Sequence, residues 1–123
     1  MTSIGGDAFY NCTSLTSVTI PNGVTRIGGR TFYNCSSLAN VTIPDSVNYI
    51  GSNAFEDCSS LNSITIPDSV TSIGSWAFFH CSSLGSINYS GTIAQWNAIT
   101  IGEAWLNCSA LTTIHCTDGD ITL

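Results

Sequence analysis

Residues 65–87 read Thr-Ile-Pro-Asp-Ser-Val-Thr-Ser-Ile-Gly-Ser-Trp-Ala-Phe-Phe-His-Cys-Ser-Ser-Leu-Gly-Ser-Ile, and residues 42–64 before them carry the same order of apolar side chains and turn formers. The interval of 23 residues extends outward from this stretch. It links Ile4, Ile27, Ile50 and Ile73; Phe9, Phe32, Phe55 and Phe78; Cys12, Cys35, Cys58 and Cys81; Leu15, Leu38, Leu61 and Leu84; Val18, Val41, Ile64 and Ile87; and Pro21, Pro44 and Pro67. Almost every fixed slot is apolar or a turn former, and only the spacers vary in polarity. Self-similarity at such a period marks a stacked-repeat architecture.

Within one unit, Leu15-x-x-Val18-x-Ile20 ends in an apolar/polar alternation with β-branched residues, the pattern of a half-buried strand. Pro21-Asn22-Gly23, Pro44-Asp45-Ser46 and Pro67-Asp68-Ser69 then stop each strand at a corner, because proline removes a ladder donor and Asn, Asp and Gly favour turns. A second extended stretch, Val24 to Gly28, follows. Gly29 to Cys35 has the spacing of one tight helical turn that carries Phe32 inward. The apolar side chains of a single unit do not offset the entropy of ordering it, whereas a stack gains interface burial and strand pairing with each neighbour. The expected fold is a β-rich α/β solenoid: a right-handed superhelix of about five 23-residue coils with parallel strands and short helical turns.

Charge narrows the partners. The chain has 123 residues, 43% of them hydrophobic and only 8% charged, with two arginines and no lysine against eight carboxylates, a net charge of −6. That balance is the reverse of a disordered chain and leaves little to neutralise a phosphate backbone, so nucleic acid is excluded as a partner. No apolar run is long enough to span a bilayer, so no membrane insertion is expected, and Met1-Thr2-Ser3 does not open a signal peptide.

The whole chain reads as one domain, with regular repeats over 4–89 and a modified C-terminal capping repeat over 90–123. After Ile87-Asn88-Tyr89 the proline slot holds Ser90, and residues 91–99 insert a short helix capped by Thr92. The register is expected to return with Trp105 in the phenylalanine slot, then Cys108, Leu111, Ile114 and Cys116, with Trp96 packing in the cap. At the other end the chain enters the pattern at Ile4 with no polar capping element before it. Either the array continues upstream, or this end buries Ile4, Phe9 and Leu15 against a second copy, giving a homo-oligomer.

The segments "TSIGSWAFFHCSSLGSI" and "TIPDSV" resemble the BspA-type, or treponemal, class of leucine-rich repeats, found in bacterial and protozoan surface proteins. The resemblance covers the chain from Ile4 to Ile121. It implies a leucine-rich-repeat solenoid displayed at the cell surface or secreted, a non-catalytic adhesion or interaction module that binds a protein or glycan ligand.

The chemistry-bearing residues fit that expectation. A cysteine every 23 residues stacks on its equivalents beside the phenylalanine row as a buried thiol, and Cys116 takes the slot of Ile20, Ile43 and Ile66. His80-Cys81 and His115-Cys116 set adjacent side chains on opposite faces, so no metal site is expected. No catalytic group is expected, because neither histidine lies beside an activated nucleophile, and no cofactor motif is present. The Cys-Ser-Ser-Leu serines serve local backbone hydrogen bonds, and Asp118-Gly119-Asp120 is a terminal turn in preference to a weak calcium site.

Two surfaces remain. Ser17 and Thr19, Asn40 and Thr42, Ser63 and Thr65, Ser86 and Asn88, and Thr113 and His115 form two outward columns on one strand face, flat, uncharged and rich in hydroxyls. This is the candidate binding face, set against the plain reading of a solvated β surface and a minor reading of ice binding by the Thr ladder. On the turn-bearing side, Trp76 and Phe79 form a second candidate contact patch.

Overall fold

The computed structural model describes residues 2–107 and 113–123. Each 23-residue period forms one coil, and the coils stack with their strands side by side. The first stack of strands runs through Ser3–Ile4 (β1), Arg26–Ile27 (β3), Tyr49–Ile50 (β5), Ser72–Ile73 (β7) and Thr100–Ile101 (β10), all parallel. The second comprises Ser17–Thr19 (β2) paired with Asn40–Thr42 (β4), followed by Ser63–Ile66 (β6), Ser86–Tyr89 (β9) and Thr113–Cys116 (β12). Register follows the period: Ile27 lies opposite Ile50, and Val18 opposite Val41. The expected leucine-rich-repeat type of parallel solenoid is what forms.

Alternation explains the strands. In β6 the sequence Ser-Ile-Thr-Ile is exposed and buried in turn, so both isoleucines face the interior. The interior is built of columns. Phe9, Phe32, Phe55 and Phe78 stack at centroid separations of 5.3, 5.2 and 5.2 Å with near-parallel planes. Val, Leu and Ile columns fill the rest, and Phe32, Phe55, Leu38, Leu61, Leu84 and Ile87 are fully buried. Identical rings repeat at nearly the strand spacing, which is why one residue type can hold a slot through successive coils.

The turn-bearing side departs from the expected helical turn. Two residues per coil adopt the left-handed backbone conformation, among them Arg30 and Asn34 (φ 54° and 55°), Asn53 and Asp57 (60° and 61°), and Trp76 and His80 (57° and 59°). Alternate N–H groups reach the next coil: Arg30 donates to Ser52, Phe32 to Ala54 and Asn34 to Glu56, at 2.8–2.9 Å. An α-helix would keep those donors inside itself, whereas the stack uses them between coils, so a chain of tight turns replaces the helix. Serines likewise bond between coils: in the Cys-Ser-Ser-Leu turns, in place of the expected local bond, Ser60 Oγ donates to the Ser36 carbonyl of the neighbouring coil (2.6 Å), and in the proline turns Ser46 Oγ donates to the Val24 carbonyl (2.7 Å) and Ser69 Oγ to that of Val47 (2.6 Å).

The irregular fifth coil contains the one α-helix among the described residues, Ile93–Asn97 (α1), with Thr92 as N-cap and a complete capping box to Gln95. The register there is longer by five residues: Ile101 pairs with Ile73, and Leu106, in Leu106–Asn107 (β11), with Phe78 in Phe78–Phe79 (β8). Leu106 therefore holds the phenylalanine slot expected for Trp105. The Trp105 ring nonetheless reaches Phe78, edge-on at 6.2 Å, and Trp96 lies between Trp105 and Tyr89. The expected positions of Cys108 and Leu111 lie outside the described residues. A final strand, Gly119–Thr122 (β13), returns antiparallel along β12 and closes the downstream edge of the second stack.

Candidate functional site

The second stack of strands presents its polar side chains outward in register. Ser17 lies opposite Asn40 and Thr19 opposite Thr42; Ser63 lies opposite Ser86, and Thr65 opposite Asn88, which in turn faces His115. Ser17, Thr19, Asn40, Thr42, Ser63, Thr65, Asn88 and His115 are exposed, while Ser86 and Thr113 are half-buried. The periodicity that turns Val18, Val41, Ile64 and Ile87 inward, the first two half-buried and the last two buried, forces these neighbours out, because successive side chains of a strand alternate faces. The threonine column formed by Thr19, Thr42 and Thr65 ends at Asn88 and His115.

Reading the sequence alone misses one part of this face. The β12–β13 hairpin sets Thr122 opposite Thr113 and Asp120 opposite His115, with His115 Nδ1 2.9 Å from Asp120 Oδ1. The strand face thus acquires a carboxylate at its downstream margin. The signal for it is the alternation Thr113-Ile114-His115-Cys116 and Asp120-Ile121-Thr122 around a short polar turn. Asp118 in that turn accepts a hydrogen bond from the Ile93 amide (2.9 Å), and the Thr117 amide bonds the Gly91 carbonyl, so the turn clamps α1 to the hairpin. Among the described residues no group of three or more His, Cys, Asp or Glu is placed to hold a metal ion.

Trp76 and Phe79 stand elsewhere, at and beside β8 on the turn-bearing side. Trp76 is 40% exposed, and its left-handed backbone is costly for a bulky side chain. The slot imposes that conformation, since Asp7, Arg30 and Asn53 share it. Phe79 is half-buried with its ring 4.1 Å from that of His80, and His80 Nδ1 lies 3.1 Å from Asp57 in the coil above. The structure does not bring these aromatics onto the strand face.

The cysteine column is a bonded ladder. Cys35 Sγ donates to the Phe9 carbonyl, Cys58 Sγ to that of Phe32 and Cys81 Sγ to that of Phe55, each at 3.1 Å. Cys12, Cys35, Cys58 and Cys116 are free thiols. Burial pushes the Cys58 thiol up to about 12, with the neighbouring Cys35 adding to the shift, and burial also raises Cys35 and Cys116. A thiol held protonated is a poor nucleophile.

Comparison with known proteins agrees with this geometry. A leucine-rich repeat protein from Bacteroides ovatus shares 33% identity and superposes with a TM-score of 0.61, over 86% of this chain and 33% of that one. The leucine-rich repeat protein of T. pallidum, at 23% identity and a TM-score of 0.53, shares the fold over 94% of this chain and 66% of its own. The chain thus spans about a third of the length of the first relative and less than two thirds of the second. Among curated protein sequences none matches the chain. The family profile for the BspA type leucine rich repeat region matches residues 2–122, and the chain belongs to that family.

Proposed function

We propose that this chain is a non-catalytic recognition module that contacts a protein or glycan through the strand face of Thr19, Asn40, Thr42, Ser63, Thr65 and Asn88, in a protein displayed at the cell surface or secreted. The observation that carries the reading is the face itself. It is an array of hydroxyl and amide groups held in register by a stacked core, so a ligand can be met with little further ordering of the protein. With no charged side chain among these six, affinity comes from shape and hydrogen bonds, and it changes little between low and high salt. Membership of a repeat family built for extended binding surfaces supports the same reading.

The test is an array of glycans and extracellular-matrix proteins probed with the wild-type chain and with a Thr42→Lys/Thr65→Lys variant. Wild type is expected to bind at least one member with similar affinity at low and high salt, and the variant to lose that binding by at least tenfold with an unchanged circular dichroism spectrum. Binding that survives both substitutions would remove the strand face from the account, and loss with Trp76→Ala alone would move the site to the turn-bearing side.

A further inference from the structure

Asn22 is the one asparagine of the sequence that is followed by glycine. It stands at the corner after β2, where Pro21-Asn22-Gly23-Val24 closes a turn with the Val24 amide donating to the Pro21 carbonyl (3.3 Å). Gly23 has φ 95°, whereas Ser46 and Ser69, which hold the same slot in the next coils, do not enter the left-handed region. A side chain would be strained at that angle, so this corner calls for glycine. Asn22 is exposed. Asp45 and Asp68 are exposed in the same slot although each has a coil on either side, so exposure is a property of the corner itself.

The corner brings together the two groups of one reaction. The main-chain nitrogen of an Asn-Gly bond can attack the side-chain carboxamide carbon of the asparagine, because glycine puts no side chain in the path of ring closure. Here the nitrogen is that of Gly23 and the carbon is Asn22 Cγ. Every other asparagine is followed by Cys, Val, Tyr, Ala or Ser, and two of their carboxamides are also tied, Asn34 Nδ2 to Asn11 Oδ1 (2.9 Å) and Asn53 Nδ2 to Glu56.

The neighbouring coil restrains the nucleophile. The Gly23 amide donates to Ser46 Oγ (3.1 Å), and the same hydroxyl donates to the Val24 carbonyl (2.7 Å). Ser46 thus clips the corner at two points, and the Gly23 nitrogen must leave its bond before it can turn on Asn22. We infer that Asn22-Gly23 is a self-modification site that converts to aspartyl and isoaspartyl forms, and that Ser46 sets its rate in the folded chain. The Gly23 nitrogen gives its proton to water and bonds to Asn22 Cγ; the Cγ–Nδ2 bond breaks, and the side-chain nitrogen leaves as ammonia. Water then opens the five-membered succinimide. Opening between the Gly23 nitrogen and Cγ gives an ordinary aspartyl residue, and opening between that nitrogen and the main-chain carbonyl carbon gives isoaspartate, whose main chain is longer by one methylene. Either product adds one negative charge to the net −6. The first sets a carboxylate in line with Asp45 and Asp68, and the second lengthens the turn that the Val24–Pro21 bond closes. The site is independent of the strand face.

The experiment ages the full chain at mildly alkaline pH beside a synthetic peptide of residues 19–26, and follows the mass gain of amide-to-acid conversion in a proteolytic digest. Asn22 is expected to convert before any other asparagine, into two products of equal mass, and more slowly than in the peptide. Ser46→Ala should speed conversion at Asn22 by about fivefold, the factor that one ordinary hydrogen bond is worth, with an unchanged circular dichroism spectrum. Ser46→Thr, which keeps the hydroxyl, should stay close to wild type. Hydrogen exchange of the Gly23 amide checks the clip without any variant, and it should be slower in the chain than in the peptide. Earlier conversion at another asparagine, or no conversion at Asn22 in either wild type or Ser46→Ala while the peptide converts, would overturn the site. Equal rates in wild type and folded Ser46→Ala, or a Gly23 amide that exchanges as fast as in the peptide, would overturn the role of Ser46.

Discussion

At Gly51 and Gly74 the coil-to-coil approach leaves no room for a side chain. A Cβ at Gly51 would lie 2.6 Å from the Gly28 carbonyl carbon, and one at Gly74 would lie 2.4 Å from the Ser52 amide. Both neighbours are backbone held in a ladder and cannot yield cheaply. Gly51→Ala is expected to cost about 3 kcal/mol in denaturant unfolding, whereas Gly85→Ala, whose Cβ would meet nothing nearer than 4.0 Å, should be near neutral. The cysteine ladder makes a second prediction at this scale. Cys58 has its thiol raised in the folded chain, so the folded state holds the proton more tightly than the unfolded one. The resulting stability is fully present below about pH 9, the ordinary thiol range, and is lost as pH rises toward about 12. Thermal unfolding temperature should therefore stay level near neutrality and fall above pH 9. Cys58→Ala should remove part of that slope while costing about 1–2 kcal/mol at neutral pH. In the folded chain Cys35 and Cys58 should resist a thiol reagent that modifies half-buried Cys12, read by mass spectrometry.

Among the elements, α1 is the most local in its causes. Thr92 and Gln95 close a capping box and Asp118 bonds the Ile93 amide, so the helix is tied at its start by three side chains. Thr92→Ala is expected to cost about 1 kcal/mol and to loosen the packing of Trp96, visible as a shift in tryptophan fluorescence. This element was legible in the sequence because a cap, a short apolar run and an insertion coincide there. The strands were legible through alternation, and the columns through the period. The turn segments were not, since spacing alone cannot distinguish a helical turn from tight turns that give alternate amides to the next coil; Arg30 and Trp76 in a left-handed slot carry no local signal for it. The Trp105 register was missed for a related reason: its ring occupies the place of a phenylalanine while its backbone stands one slot away. On the strand face, the outward columns followed from the pattern, but Asp120 reaches His115 only through a hairpin that a terminal turn did not announce.

Over the whole molecule, one geometric rule governs both the core and the surface. Each coil repeats the contacts of the last, so interior side chains of one kind meet their own kind and exterior ones are displayed in lines. Stability then depends on nearest-neighbour interfaces more than on any single contact. The same rule sets the polar columns of the strand face in register. It also predicts that changes in phase are far worse than changes in length. Deleting residues 47–69 removes one full period and joins Ser46 to Val70, restoring the Ile-Pro-Asp-Ser-Val turn of the intact chain. Deleting residues 47–58 removes about half a period and sets strand slots against turn slots. The direct measurement is urea unfolding of the two deletions beside wild type. The 23-residue deletion should unfold in one cooperative transition with a lower midpoint and a proportionately smaller slope, and the twelve-residue deletion should show no transition. A folded twelve-residue deletion, or an unfolded 23-residue one, would contradict a stack of coils in fixed register.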